Sequence, residues 1–300
     1  MGMLTVMRLR AGRGAIVDLR SAIELFWPGL VAAGAVAPLC ALLSPLVALK
    51  RLAFIGQGVS HAAFGGIGIA TALGLGASAQ FGVVGVFCVA SALVVAWMSD
   101  RKTTSADTLI GVMLVGSMAL GAVLISREMQ RGGGPAPAWE EVLFGSLLAV
   151  TRADAGLAWG VGLMVAAVMA VWRRPLLFWA FDEPGAEAFG VSVGAMKTLL
   201  MALLAVTIVV SMKWAGVVLA TALLILPGAT ALRLSRRMGL VFVISMVVSV
   251  VGMGAGLWGA FAWELPPGAC VVGALLVMFA ASWPVGAMVA SRGGAAAGAR

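Results

Sequence analysis

His61 is the residue of this chain best suited to bind a metal ion. It is the only histidine among 300 residues and lies in the segment G-Q-G-V-S-H-A, residues 56–62. Gln57 precedes it by four residues, so both side chains share one face if the segment is helical. A neutral imidazole is a common ligand of transition metals. The amide oxygen of Gln57 can add a second donor or orient the ring.

One histidine and one glutamine do not complete a metal site, because such sites usually need about four ligands. A homodimer would bring two copies of each side chain together on its axis. In the alternative interpretation, His61 hydrogen-bonds between packed helices and binds no ion. These residues alone leave both interpretations open.

The composition predicts an all-α integral membrane protein of the inner or plasma membrane. Hydrophobic residues make up 62% of the chain and charged residues only 11%, whereas soluble domains are about half apolar and a quarter charged. The mean hydropathy is +1.09. Only helices and closed barrels satisfy the backbone in lipid, and long apolar runs without period-two alternation favour helices.

About eight or nine transmembrane helices are expected. The apolar runs are 25–47, 52–75, 79–98, 107–126, 155–172, 197–211, 215–232, 239–261 and 268–290. His61 lies roughly 15 Å past the charged pair Lys50-Arg51 at 1.5 Å per residue, close to the midplane of a bilayer core about 30 Å thick. An ionisable side chain at that depth is costly and therefore indicates a functional site.

The basic residues lie between the apolar runs rather than on one face. This placement is typical of cytoplasmic loops under the positive-inside rule. The net charge of +8 therefore indicates a protein in a lipid environment, and nucleic acid is excluded as a partner. The loops expected in the cytoplasm are 50–51, 100–107, 173–195 and 233–239. The segments expected outside are 127–141, 212–215 and 263–266.

The predicted organisation is a single transmembrane domain over 25–290, preceded by a basic arm (1–24) and followed by a short tail (291–300). The loop at 173–195 mixes basic, acidic and aromatic residues. Such a loop is either an element that docks on a soluble partner or a solvated linker, and its composition does not separate the two.

No sequence pattern indicates an enzyme or a resident cofactor. The chain contains no phosphate-binding G-x-x-x-x-G-K-[ST] segment, so any ATP hydrolysis belongs to another chain. There is no nucleophile with a neighbouring base, and the three cysteines show neither metal-ligand nor disulfide spacing. A transported ion is the one metal that we expect this chain to bind.

Six segments, in order, resemble the permease subunits of the zinc/manganese (ABC-3 type) class of ABC importers. They are R-L-A-F-I-G-Q-G-V-S-H-A-A-F-G-G (51–66), D-T-L-I-G-V-M-L (107–114), L-F-G-S-L-L-A-V-T-R-A-D (143–154), F-D-E-P-G-A-E-A-F-G-V (181–191), G-V-V-L-A-T-A-L-L-I-L-P-G-A-T-A (216–231) and L-P-P-G-A-C-V-V (265–272).

The resemblance implies a type II importer fold and import of a divalent transition metal (zinc, manganese or iron) along a dimer axis. It implies as partners a second permease copy or a paralogue, cytoplasmic ABC ATPases and an extracytoplasmic metal-binding protein. In the family motif an aspartate and a histidine four residues apart line the metal path. His61 matches that histidine, and Gln57 stands in place of the aspartate. The ATPase would dock at Asp182, Glu183, Glu187 and Gly190.

The glutamine removes one negative charge per chain, and charge compensation of a divalent cation is strong in a low-dielectric pore. Four explanations of this missing charge stay open. The ion crosses in a more hydrated form, or other acidic residues compensate its charge. Alternatively, a paralogous partner retains the aspartate, or the substrate is a metal chelate or another small solute. A secondary transporter that works without ATP fits less well, because such proteins place several ionisable groups or broken helices at the midplane.

Overall fold

The computed structural model describes residues 9–11, 15–17, 19–100, 105–131 and 150–297. The first eight residues of the predicted basic arm, the last three of the predicted tail and positions 143–149 of the segment 143–154 lie outside the described residues. A short antiparallel hairpin, β1 (Leu9–Ala11) and β2 (Ala15–Val17), precedes the helices.

The described residues form nine helices, which agrees with the predicted all-α membrane fold. They are α1 (Leu19–Leu49), α2 (Ala53–Ala72), α3 (Ala77–Asp100), α4 (Ala106–Gln130), α5 (Arg152–Phe181), α6 (Glu183–Ala188), α7 (Val193–Leu234), α8 (Met238–Trp263) and α9 (Pro267–Ala297).

Eight segments of the described residues are long and apolar enough to cross a membrane. They are Trp27–Leu49, Ala79–Ser99, Asp107–Gln130, Arg152–Phe181, Val193–Lys213, Ala215–Leu234, Met238–Trp263 and Pro267–Pro284. The protein is therefore a multi-pass membrane protein. The remaining predicted run, 52–75, corresponds to α2. This segment is also helical, but 5 of its 20 residues are glycine and it contains Gln57, Ser60, His61 and Thr71.

Helix α2 lies inside the bundle, packed against α3, α4 and α7. Its glycines permit this, because small residues let helix backbones approach closely. A Cβ added at Gly68 would lie 2.8 Å from the Cα of Gly121 in α4, and one added at Gly66 would lie 2.8 Å from the Cα of Val84 in α3. The glycine-rich sequence of α2 thus places its backbone directly against two neighbouring helices.

Helix α7 contains two spans joined at a sharp break. Gly216 has φ 70° and ψ 172° inside an otherwise helical segment, a conformation that is essentially restricted to glycine. The predicted runs 197–211 and 215–232 are therefore two separate membrane spans.

Helix α5 is longer than the run that predicts it. The apolar run ends at Trp172, but the helix continues through Arg173, Arg174 and Pro175 to Phe181. Both arginines are exposed, and such long side chains can reach the membrane surface from a continuous helix. Residues 173–181 of the predicted loop are therefore helical, and the non-helical connection is short.

Helix α1 contains Pro45, which has no N–H to donate to the carbonyl of Ala41 four residues earlier. The hydroxyl of Ser245 in α8 donates to that carbonyl at 2.8 Å. One turn further along α8, the hydroxyl of Ser249 donates to the carbonyl of Ala37 at 2.7 Å. Helix α8 thereby satisfies a backbone acceptor that α1 cannot satisfy itself.

Contacts between helix ends agree with the predicted alternation of the loops. Lys50 pairs with Glu183, both in segments expected in the cytoplasm. Lys213, at the end of the first span of α7, pairs with Asp154 in the first turn of α5. Helix α5 therefore runs from the side of Lys213 to the side of Lys50, as a membrane-spanning helix must.

Candidate functional site

His61 lies at the middle of α2, as the ninth of its 20 residues. The ring is half-buried and stacks on Phe64, with ring centroids 5.8 Å apart and an angle of 18° between the planes. Its Nδ1 is buried, and no hydrogen-bond partner for it exists among the described residues. A histidine that joined two helices through this atom would give it a partner there, so the described residues do not support an interhelical hydrogen bond of Nδ1.

Gln57 is exposed and lies one turn before His61, and Phe54, 62% exposed, lies one turn further back. Helical spacing places the three side chains on one face of α2; we call Phe54, Gln57 and His61 the open stripe. The rest of this part of α2 is buried, including Ile55 and Val59. The chain therefore covers every face of the helix around His61 except the face that carries both predicted ligands.

The open stripe cannot hold a metal ion with the ligands of one chain alone. In the described segments, no group of three or more His, Cys, Asp or Glu side chains could hold a metal. An imidazole nitrogen and an amide oxygen give two donors, and a transition-metal site needs about four. A second permease chain facing the stripe would supply the remaining donors.

The segment predicted to dock the ATPase forms α6, a six-residue helix whose ends are both capped. The carboxylate of Asp182 accepts from the backbone N–H of Gly185 at 3.0 Å. Gly190 has φ 82°, and its N–H donates to the carbonyl of Glu187 at 3.0 Å. Asp182 and Gly190 therefore fix the two ends of α6, and its acidic residues lie on the surface.

The surface of α6 carries exposed acidic and aromatic side chains. Glu183 and Glu187 are exposed, and Phe189, just after the helix, is 82% exposed. The ring of Phe189 lies 5.8 Å from that of Phe178 on α5. This combination of charge and exposed apolar surface suits a protein–protein contact.

A cluster that the sequence analysis missed connects α6 and the end of α5 to the turn that precedes α2. The ammonium of Lys50 lies 2.8 Å from Oε2 of Glu183 and 4.1 Å from the centre of the Trp179 ring. Lys50 and Glu183 are 133 residues apart in sequence. No local pattern indicates such a pair, because each residue taken alone resembles an ordinary charged residue of a loop.

A second missed cluster lies at the opposite end of α5. Thr151 and Asp154 form a capping box, and the carboxylate of Asp154 also pairs with Lys213. The ammonium of Lys213 lies 4.7 Å from the centre of the Phe81 ring. The spacing T-x-x-D predicts the cap, but nothing local indicates that a lysine just before the break at Gly216 would join it.

The profile of the ABC 3 transport family matches residues 22–285. The manganese transport system membrane protein MntC of Halalkalibacterium halodurans is 34% identical over 251 residues, 84% of each chain. The chelated iron transport system membrane protein YfeD of Yersinia pestis is 30% identical over 243 residues, 81% of this chain and 79% of the relative.

The fold is also similar to a solved structure, PsaBC from Streptococcus pneumoniae in complex with Fab. The TM-score is 0.74 at 25% sequence identity, and the match covers 88% of this chain and 94% of the other. The family profile, the relatives and the solved structure thus each match most of the chain, and the profile spans both α2 with its open stripe and the capped helix α6. This multi-pass membrane protein belongs to the ABC 3 transport family.

Proposed function

We propose that this chain is the membrane permease of an ATP-driven importer for a divalent transition-metal ion, and that the ion passes between two permease chains along the open stripes. One observation carries the proposal. Around His61, helix α2 is buried except along the stripe of Phe54, Gln57 and His61, and the half-buried ring of His61 lies there at mid-helix with no hydrogen-bond partner for its Nδ1 among the described residues.

A second permease copy, or a paralogue, supplies what one chain lacks. Polar groups facing lipid are costly, so Gln57 on an uncovered face requires a polar partner or water. Two facing stripes would offer two imidazoles and two amide oxygens, the number of donors that a transition metal requires. Both the dimer and its ligand set are thus supported by burial and by the count of donors.

The proposed substrates are manganese, iron or zinc ions. The similar proteins named above carry manganese and chelated iron in their names. A metal chelate is the second candidate, because the stripe carries no carboxylate. Without that charge the pathway compensates a bare divalent cation less strongly, and a chelate brings its own ligands.

The ATPase is proposed to dock on α6 through Glu183 and Glu187, beside exposed Phe189. Asp182 and Gly190 hold the ends of this helix, so substitutions there would act through its shape. An extracytoplasmic metal-binding protein is proposed to deliver the ion at the opposite side of the membrane. The ion is cargo in this proposal, and no resident cofactor takes part.

The test is uptake into liposomes that contain this chain, its ATPase and its binding protein. A panel of manganese, iron and zinc ions, each also supplied as a chelate, is compared for the wild type and His61→Ala. We expect one metal to accumulate with ATP and the substitution to reduce uptake about 100-fold or more, because a ligand of the pathway is lost.

Thr71→Ala is the matched control on the same helix. The hydroxyl of Thr71 donates to the carbonyl of Ile67 within its own helix, so its removal leaves the stripe intact and uptake near the wild-type rate. Assembly with the ATPase and ATP hydrolysis are measured for each variant. Normal uptake by His61→Ala would remove His61 from the path, and uptake of chelates alone would select the second candidate.

A further inference from the structure

The side chain of Lys50 lies where the ends of α1 and α5 meet the start of α6. Its ammonium contacts the Trp179 ring and pairs with Glu183, the first residue of α6. The side chain of Lys50 is only 15% exposed, against 51% for Glu183, and Trp179 is 2% exposed. A cation held between a buried ring and a carboxylate is fixed more firmly than in a surface ion pair.

Lys50 is joined to α2 by a stiff turn. Arg51 has φ 56°, the N–H of Leu52 donates to the carbonyl of Val47 at 2.9 Å, and the N–H of Arg51 donates to the carbonyl of Ala48 at 3.3 Å. These bonds form a Schellman motif, with a non-glycine residue in the left-handed position. Helix α2 begins at the residue after Leu52, so little slack separates Lys50 from α2.

Helix α2 itself is held in a way that favours movement as a unit. Gly66 and Gly68 place its backbone against the backbones of α3 and α4. Close contacts between backbones deform less than contacts between flexible side chains. A displacement of the first turn of α2 is therefore transmitted along the helix to later residues. His61 lies eight residues into α2, about 12 Å from its start.

We infer that Lys50 is a positioning residue of the transporter, which passes movements of α6 to α2 and so to the open stripe. The inference rests on the proposed function in one respect, the docking of the ATPase on α6. Within the described residues, the contact of Lys50 with Glu183 and Trp179 joins the turn before α2 both to the first residue of α6 and to the end of α5.

The experiment measures movement of α2 rather than transport. Leu73, which is 63% exposed at the far end of α2, is replaced by cysteine as the labelling site. Cys270 is changed to Ser because it is half-buried, while Cys40 and Cys88 are buried. The rate at which a thiol reagent labels the introduced cysteine is compared, in the assembled complex in liposomes, without nucleotide and after addition of ATP and vanadate, which traps ADP and vanadate in the ATPase once ATP has been hydrolysed.

We expect the labelling rate to change about fivefold or more on trapping in the Leu73→Cys background, the range typical of coupled sites. Lys50→Glu and Glu183→Lys should each bring the ratio of the two rates close to one. The double exchange Lys50→Glu with Glu183→Lys should restore part of the ratio, since it re-forms the ion pair with position 183 still reversed in charge but not the contact of an ammonium with the Trp179 ring. Lys50→Arg should also retain it.

Arg236→Glu is the matched control. It reverses a charge in the connection between α7 and α8, which is also expected in the cytoplasm, but exposed Arg236 forms no ion pair in the described part of the chain, so the nucleotide response should remain.

Three results would overturn the inference: no nucleotide response of the introduced cysteine in the background variant, a full response in both single variants, or no recovery in the double exchange. Failure of the proposed function is a separate result. It would appear as a normal nucleotide response in a complex that takes up none of the metal ions or chelates tested.

Discussion

The serines of α8 allow a prediction in which two chemically identical substitutions should differ. Ser245 and Ser249 are both fully buried, and their hydroxyls donate to carbonyls of α1 at 2.8 Å and 2.7 Å. The carbonyl of Ala37 can also accept from the N–H of Ala41 within α1. The carbonyl of Ala41 has no such donor, because position 45 is proline.

The size of the difference follows from this geometry. Loss of an interhelical hydrogen bond in a membrane protein costs about 0.6 kcal/mol on average and about 1.7 kcal/mol at most. A buried acceptor left without any partner costs about 1–3 kcal/mol. We therefore expect Ser249→Ala to lower the free energy of unfolding by about 0.5–1 kcal/mol and Ser245→Ala by about 1.5–3 kcal/mol.

The assay is reversible unfolding in mixed micelles, followed by tryptophan fluorescence, for both single variants and for each combined with Pro45→Ala. Restoring an N–H at position 45 should rescue part of the loss in Ser245→Ala and none of the loss in Ser249→Ala. Equal effects of the two serine substitutions, within about 0.5 kcal/mol, would show that the proline does not decide the value of these bonds. The reasoning about α1 would then be wrong.

Two further substitutions test the pathway and the break in α7. Gln57→Asp adds a carboxylate beside His61 in each copy. After the cost of desolvating that charge, we expect divalent ions to bind about ten- to hundredfold more tightly. An unchanged half-saturating ion concentration for uptake would show that Gln57 does not line the path. Gly216→Ala forces a side chain into φ 70° and should lower the free energy of unfolding by about 1–3 kcal/mol. The control Gly239→Ala, where a Cβ meets no atom within 4 Å, should leave stability nearly unchanged in the same unfolding assay.

Errors in the boundaries of elements have a specific cause in this chain. The end predicted for α5 at Trp172 was wrong, because two arginines and a proline mark a boundary in sequence but do not end a helix that has already reached the membrane surface. The prediction of two separate spans within α7 was correct, because Lys213 and Gly216 mark a boundary in the sequence where the helix is in fact broken.

The sequence by itself determined the features that arise within about one or two helical turns or from composition. Apolar content requires lipid around the chain, the lengths of the runs set the number of spans, and spacing of four residues places Gln57 and His61 on one face of α2. Each depends on local periodicity or on total apolar surface, which can be read from residues close together in the chain.

The tertiary structure alone decided which faces and charges meet. It leaves the stripe of Gln57 and His61 uncovered while burying the rest of α2 around it, brings Lys50 to Glu183 across 133 residues, and brings Ser245 to the carbonyl of Ala41 across 204. The physical reason is that such contacts depend on how helices pack side by side, and the hydrophobic pattern of each helix is compatible with many neighbours. Glycine contacts and buried polar bonds between distant helices select one arrangement among these.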